Sequence, residues 1–347
     1  MSTLPTPVGP APLAPRPLYP EVVGAVRAAG LLDRRLGPYL VHFAVNTLGL
    51  LVVLAALVVW HDSWWLMAWA VVLAVVSVQI GFLGHDIAHR QVSRRARTAA
   101  LLGLFHANLL SGLSYGWWVD KHNAHHAHPN DLETDPDVRA GVLIFDVSQA
   151  RERRGLGAMV TRHQAWLFFP LLTFEAVNLY LAGLRSLVRP GLQHRWAEVA
   201  LIGVHTAAYL SLVVTTMTWA QGLVFVAIHQ GVRGIYLGVS FAPNHKGMPV
   251  LSRADEADPF LRQVLTSRNI RGGPVVDWAL GGLNYQIEHH LFPSMPRANL
   301  PSAQQIVRAV CELHAVPYVE ASARSSYADV LRHLHAVGAP LRVSGRG

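Results

Sequence analysis

With one cysteine, Cys311, in 347 residues, the chain has neither an intramolecular disulfide nor a thiolate zinc site. Charge is scarce: Asp, Glu, Lys and Arg make up 14 % of the residues, where soluble domains carry about 25 %. His-Glu-x-x-His is absent, which removes a common zinc-protease signature. Glu-x-x-His, the metal-binding unit of ferritin-like di-iron bundles, is absent too. There is no complete dinucleotide fingerprint, since Gly155-Leu156-Gly157 lacks both the third glycine and a preceding strand. Residues 1–20 are rich in proline and lack the basic segment and apolar run of a signal peptide, so a disordered tail is expected there.

Apolar residues fill the space left by charge, at 52 %. Tyr39 to Trp60 runs without a charge, long enough to cross about 30 Å of hydrocarbon. After His61-Asp62-Ser63 a second run covers Trp64 to Gly84, with Trp60, Trp64 and Trp65 at the turn, where interfacial tryptophans belong. Ala197 to Met217 and about Trp219 to Pro243 form a second pair. These patterns predict an all-α integral membrane protein, with four spans in two hairpins at about 39–60, 64–84, 197–217 and 219–243. Thr98 to Trp118 is apolar but interrupted by polar residues and reads as an interfacial or re-entrant element, whereas Ala165 to Val188, which carries Glu175, Asn178 and Arg185, reads as surface-lying. The stretches 85–196 and 244–347 form a cytosolic helical cap, and residues 21–347 form one domain. Within the cap, helices are expected over Pro301 to Ala315 and about Ser326 to His335. His229 and Arg233 fall inside the fourth run, which is expected to protrude so that Arg233 reaches the headgroups.

The formal charge of +8 follows from topology. The short loops near His61 and Thr218 hold no Lys or Arg, whereas Arg90 to Arg97, Lys121, Arg151 to Arg154 and Lys246 onward lie on the other side. That side is therefore cytoplasmic, with both termini, and no nucleic acid is needed to explain the charge.

The chemistry lies in the 19 histidines. Lys121-His122-Asn123-Ala124-His125-His126 puts three of them in five positions, and residues three and four apart share a helix face. His85 and His89 form an i, i+4 pair at the end of the second run. Gln286-Ile287-Glu288-His289-His290 repeats the spacing with glutamine in first place, and His245 follows the fourth run. One closed zinc site needs four ligands, so eight imidazoles on one side suggest two metals, and a His-rich iron pair open to a further ligand suggests O2 chemistry. A metal transporter would instead place charge along several spans, and the first two have none.

His85-x-x-x-His89, His122-x-x-His125-His126 and Gln286-x-x-His289-His290 resemble the three histidine boxes of the membrane fatty acid desaturase superfamily. Tyr285 to Pro293 is similar to the third box of its acyl-lipid and front-end branch, while Phe241 to Gly247 and Lys121 to Asn130 resemble bacterial members. The resemblance runs from about Tyr39 to Tyr327. It implies O2-dependent insertion of a double bond into a fatty acyl chain at a di-iron centre. The implied ligands are His85, His89, His122, His125, His126, His245, His289 and His290. Gln286 stands where many relatives have a ninth histidine, and His128 is a weaker candidate for that vacancy. Asp86, Asn123, Asp120 and Glu288 are expected to orient imidazoles. A fatty acyl or alkane hydroxylase on the same scaffold is the alternative. The His-Pro-Gly-Gly signature of a fused cytochrome b5 domain is missing. The resemblance therefore implies a separate electron donor, either a ferredoxin and its reductase or a cytochrome b5-like protein. The expected location is a bacterial cell membrane.

Overall fold

The computed structural model describes residues 17–251 and 258–343. In chain order, α1 (Tyr19–Ala28) precedes the first hairpin, α2 (Leu36–Val59) and α3 (Leu66–Ala88). Helix α4 (Ala96–Gly103) continues into a π-helical turn (Leu104–Leu110), then come α5 (Tyr115–Ala127), α6 (Val147–Arg151), α7 (Gly155–Leu172) and α8 (Glu175–Ser186). The second hairpin is α9 (Arg195–Thr216) and α10 (Trp219–His245). The remainder comprises α11 (Pro259–Leu265), β1 (Asn269–Arg271), α12 (Pro274–Ala279), α13 (Gln286–Leu291), a 3-10 turn (Arg297–Asn299), α14 (Leu300–Leu313), β2 (Glu320–Ser322), α15 (Ala323–Val337) and α16 (Ala339–Val343).

The protein is a multi-pass membrane protein: α2, α3, α9 and α10 are long and apolar enough to cross a bilayer. Their limits differ from the expected spans by a few residues at each end. In α3, 56 % of the most apolar stretch is buried inside the protein, against 17 % in α2 and in α9, so α3 is central and those two face lipid. At the end remote from the histidines, Val53, Leu57, Leu66, Val213 and Phe225 pack together. The two hairpin turns are tied there, because Asp62 N donates to Thr216 O (2.9 Å) and Gln221 Nε2 donates to Asp62 O (2.9 Å).

Two expectations are corrected. Helix α10 does not lift Arg233 to the headgroups. Arg233 is buried and donates through Nη2 to Ser111 O (2.8 Å), while His229 faces Tyr209 Oη (2.9 Å) through Nδ1. Neighbouring helices supply Arg233 Nη2 and His229 Nδ1 with partners that lipid could not, while Arg233 Nε stays buried without one. The Pro-rich tail, drawn to Pro20, falls mostly on residues 1–16, outside the described residues. Leu18 is buried in the cap core and Tyr19 already opens α1, because its apolar face packs against α14.

The stretch read as surface-lying, Ala165 to Val188, contains an elbow: α7 and α8 meet at 82°, with Pro170 inside α7. The elbow rests on α10. A Cβ on Gly234 would stand 2.4 Å from Leu172 O, so only glycine permits this approach. The cap core joins α1, α11, α13 and α14 through Val22, Phe260, Ile287, Met295 and Val307, each fully buried and each worth about 1.5–3 kcal/mol. One feature departs from an all-helical reading. β1 and β2 pair in parallel, Ile270 opposite Ala321, and three-residue strands are too short to leave a period-two signal.

Candidate metal centre

Four chain segments deliver the histidines to one place. His85 lies in the last turn of α3 and His89 caps it, one turn apart. Helix α5 carries His122, His125 and His126, α10 ends on His245, and α13 carries Gln286, His289 and His290 with every residue buried. The start of α5 is fixed by a buried carboxylate. Glu198, on the first turn of α9, accepts from Ser114 Oγ (2.6 Å), Asn108 Nδ2 (3.0 Å) and Gly116 N (2.9 Å). Ser114 Oγ in turn accepts from Trp117 N as the helix N-cap.

The ring nitrogens fall into two groups. His85, His89, His122 and His289 form the first and His125, His245 and His290 the second, with ligand atoms in each group within 4.8 Å of one another. His126 sits between them: its Nε2 is 3.1 Å from His122 Nε2, and its ring stacks on His290 at 4.1 Å. All eight expected histidines are thus brought together. Gln286 joins the second group, its Nε2 2.9 Å from His245 Nε2, while its Oε1 accepts from Asn244 Nδ2 (3.0 Å).

The outer nitrogens are held from behind. His85 Nδ1 faces Asp86 Oδ1 (3.1 Å), and Asp86 Oδ2 pairs with Arg297 Nη2 (2.6 Å). His125 Nδ1 lies 3.0 Å from both oxygens of Asp135. His245 Nδ1 faces Thr266 O (3.0 Å) and His290 Nδ1 faces Gln263 Oε1 (2.9 Å). A ring that donates through Nδ1 leaves the Nε2 lone pair free for a cation. The Nε2 atoms of His85, His289 and His290 are buried without any hydrogen-bond partner, an arrangement that is costly unless a cation takes the lone pairs. The donor set therefore fits two metal ions of the kind imidazole binds. Burial, reinforced by neighbouring imidazoles, holds His89, His122, His126, His289 and His290 well below the ordinary histidine range, which keeps them neutral as ligation requires. His125, Asp135 and Asp137 form a further set that could hold a cation, but it engages Nδ1 of His125, the nitrogen opposite the one that faces His245.

Not every expected orienting group takes that role. Asp86 does. Asn123, Asp120 and His128 are exposed on the outer side of α5 and its end. Glu288 is buried, but its carboxylate accepts from Asn269 Nδ2 (2.7 Å) and Tyr318 Oη (2.8 Å), which ties α13 to β1 instead of orienting a ring. Burial pushes Glu288 up to about 7. The sequence reading missed Asp135, Gln263 and Glu198. The one local signal for the first was Asp135-Pro136-Asp137, ten residues after His125.

The fatty acid desaturase family profile matches residues 62–322. The chain belongs to the fatty acid desaturase family. Among curated relatives of this family member, the acyl-lipid (9-3)-desaturase of Borago officinalis is 34 % identical over 271 residues, covering 74 % of this chain and 60 % of the borage protein. A Delta(8)-fatty-acid desaturase of Arabidopsis thaliana is 28 % identical over 86 % of this chain and 70 % of its own length. A Delta(6)-fatty-acid desaturase of Caenorhabditis elegans is 30 % identical over 85 % of this chain and 69 % of its own length. The chain thus spans well short of the full length of these relatives.

Proposed function

We propose that this protein is a fatty acyl desaturase that inserts a double bond into an acyl chain with O2 at a pair of irons. The ligands are His85, His89, His122, His125, His126, His245, His289 and His290, with Gln286 beside the second group. The observation that carries this reading is the convergence of the eight imidazoles, with orphan Nε2 atoms turned inward and Nδ1 atoms held from outside. The iron pair, when bound, supplies O2 activation and the removal of two hydrogens from adjacent carbons. The protein's own part is to keep the rings neutral and fix their tautomers. Asp86, Asp135, Thr266 and Gln263 do this through the Nδ1 contacts above. The buried carboxylates also balance positive charge at the site.

The position of the site supports an acyl substrate. Two histidine-bearing helices long and apolar enough to cross a bilayer, α3 and α10, end at the metal groups, which suits a substrate delivered from lipid. The metal-bearing face is read as cytoplasmic from the Lys and Arg distribution. Electrons come from a separate donor, a ferredoxin with its reductase or a cytochrome b5-like protein. Arg151 and Arg154, exposed on this face, suit an acidic carrier.

The test is expression in a host of known lipid composition, followed by fatty acid analysis. New double bonds are expected. New hydroxyl groups without new unsaturation transfer the protein to the hydroxylases. Purified protein should carry about two irons per chain by metal analysis and Mössbauer spectroscopy, and one zinc with no iron refutes the di-iron assignment.

A further inference from the structure

The two metal groups are held by different means. In the second group every ring has a polar partner behind it through Nδ1: Asp135 for His125 (3.0 Å), Thr266 O for His245 (3.0 Å) and Gln263 for His290 (2.9 Å). In the first group only His85 has a partner of this kind, Asp86 (3.1 Å). Among the described residues, His122 meets other imidazoles through Nε2 but no carboxylate, amide or carbonyl through Nδ1. Its ring lies instead against Trp118, with centroids 4.3 Å apart and planes at 23°. We propose that Trp118 is a positioning residue of the first metal group, holding the His122 ring by stacking as Asp86 holds His85 by a hydrogen bond. This inference rests on the reading of the eight histidines as ligands and adds a residue outside that set.

Helix geometry sets up the contact. Trp118 stands four residues before His122 on α5, so the two side chains share a face. Helical side chains lean back toward the N-terminus, which lays the imidazole over the indole. The indole reaches two further ligands edge-on, His85 at 5.5 Å and 69° and His89 at 6.5 Å and 79°, and so meets three of the four rings of the group. Among the described residues it is the only ring other than histidine packed against the eight ligands.

The chemistry suits the task. Stacked and edge-to-face aromatic pairs attract beyond the area they bury. Indole has the most electron-rich face among the side chains, and an imidazole that shares a cation's charge is drawn to it more strongly than a neutral one. Stacking fixes the plane of the ring and leaves its nitrogens free, which a hydrogen bond to Nε2 would not.

Trp118 is itself fixed. Its backbone N–H donates to Ser114 O (3.1 Å), and the turn that begins there hangs on Glu198 through Ser114 Oγ and Gly116 N. The stack therefore carries the anchoring of α5 onto His122. The indole is half-buried, so its replacement opens no sealed core.

The experiment compares full-length parent, Trp118→Leu and Trp118→Phe, each purified in detergent, first metal-free and then titrated with ferrous iron. In Trp118→Leu, iron affinity should fall about tenfold at one of the two sites. Mössbauer spectra at saturating iron should show one altered signal and one like the parent's. Trp118→Phe keeps a ring that stacks and should recover most of the affinity. Equal loss at both sites overturns the proposal, as does parental affinity in Trp118→Leu or a phenylalanine variant no better than leucine. A lowered melting temperature with both sites at parental affinity leaves Trp118 a structural side chain and overturns it too. A second readout needs no metal. Diethyl pyrocarbonate modifies accessible imidazoles, and mass spectrometry maps them. Metal-free Trp118→Leu should be modified at His122 several-fold faster than the parent, with His290, held by Gln263, unchanged. An unchanged rate at His122 refutes the stack. The parent's own metal content separates the two claims: one zinc and no iron refutes the di-iron reading, while the metal-free rates still decide whether Trp118 holds His122.

Discussion

Replacing Asp135 by asparagine separates what a buried carboxylate does for the fold from what it does for the metal. Asp135 is fully buried. Its Oδ1 accepts from Asp137 N (2.8 Å) and its Oδ2 from Asn130 N (2.8 Å), and both oxygens lie 3.0 Å from His125 Nδ1. An asparagine keeps one oxygen and turns an NH2 toward the other side. Whichever way the amide sits, a backbone N–H then faces a donor, at a cost of about 1–3 kcal/mol of stability. His125 also loses its anionic partner, and removal of such a partner lowers metal affinity by about 10–100-fold, or about 1.4–2.7 kcal/mol. The assay is titration of metal-free Asp135→Asn protein with ferrous iron beside the parent, with a thermal melt of the metal-free form. Weaker binding at one of two sites and a lower melting temperature are expected. Parental affinity at both sites, with only the melt shifted, would refute the argument that Asp135 tunes His125 and would leave the carboxylate a structural anchor.

Three further outcomes follow from the same geometry. His126→Ala and His290→Ala should each lower turnover by about 100-fold or more while the protein still fractionates with membranes, and near-normal product in either removes that ring from the ligand set. Gln286→Ala takes away the amide that faces His245 Nε2. It should weaken iron at the second group by about tenfold, read as iron per chain after dialysis against a chelator, and full retention means that Gln286 contributes nothing to binding. Glu198→Gln sets an amide against one of the donors at Ser114, Asn108 and Gly116. It should destabilise the protein in detergent by about 1–3 kcal/mol, and an unchanged melting curve contradicts the view that Glu198 anchors α5.

The spans were legible because hydropathy along a helix is a local property: the charge-free run from Tyr39 identifies α2 whatever it packs against. The histidine boxes were legible because i, i+3 and i+4 spacing is also local; that spacing identified seven of the eight rings that the structure brings together, and His245 was found from its place after the fourth run. The orienting groups were far less so. Asp86 adjoins His85 and was found, but Asp135 reaches His125 through a loop whose turns, built on Asp131 and Asp135, have no periodicity. Glu288 looked well placed by adjacency to His289, yet α13 turns it away to Asn269 and Tyr318. Arg233 was read as exposed because a charge in lipid is costly, and hydropathy could not show that the π-helical turn ending at Leu110 would bring Ser111 O to meet it.

The sequence by itself therefore determined the four crossings, the side on which the histidines gather, and the residue types available for metal. These depend on composition and on spacings within single helices. Only the tertiary structure decided how the rings divide into two groups, which of their nitrogens is held from behind, and that His126 and Gln286 stand at the junction and at the second group. Those relations join residues from α3, α5, α10 and α13, up to 205 positions apart when His85 is counted with His290. They are set by how the helices cross, which no local pattern along the chain encodes.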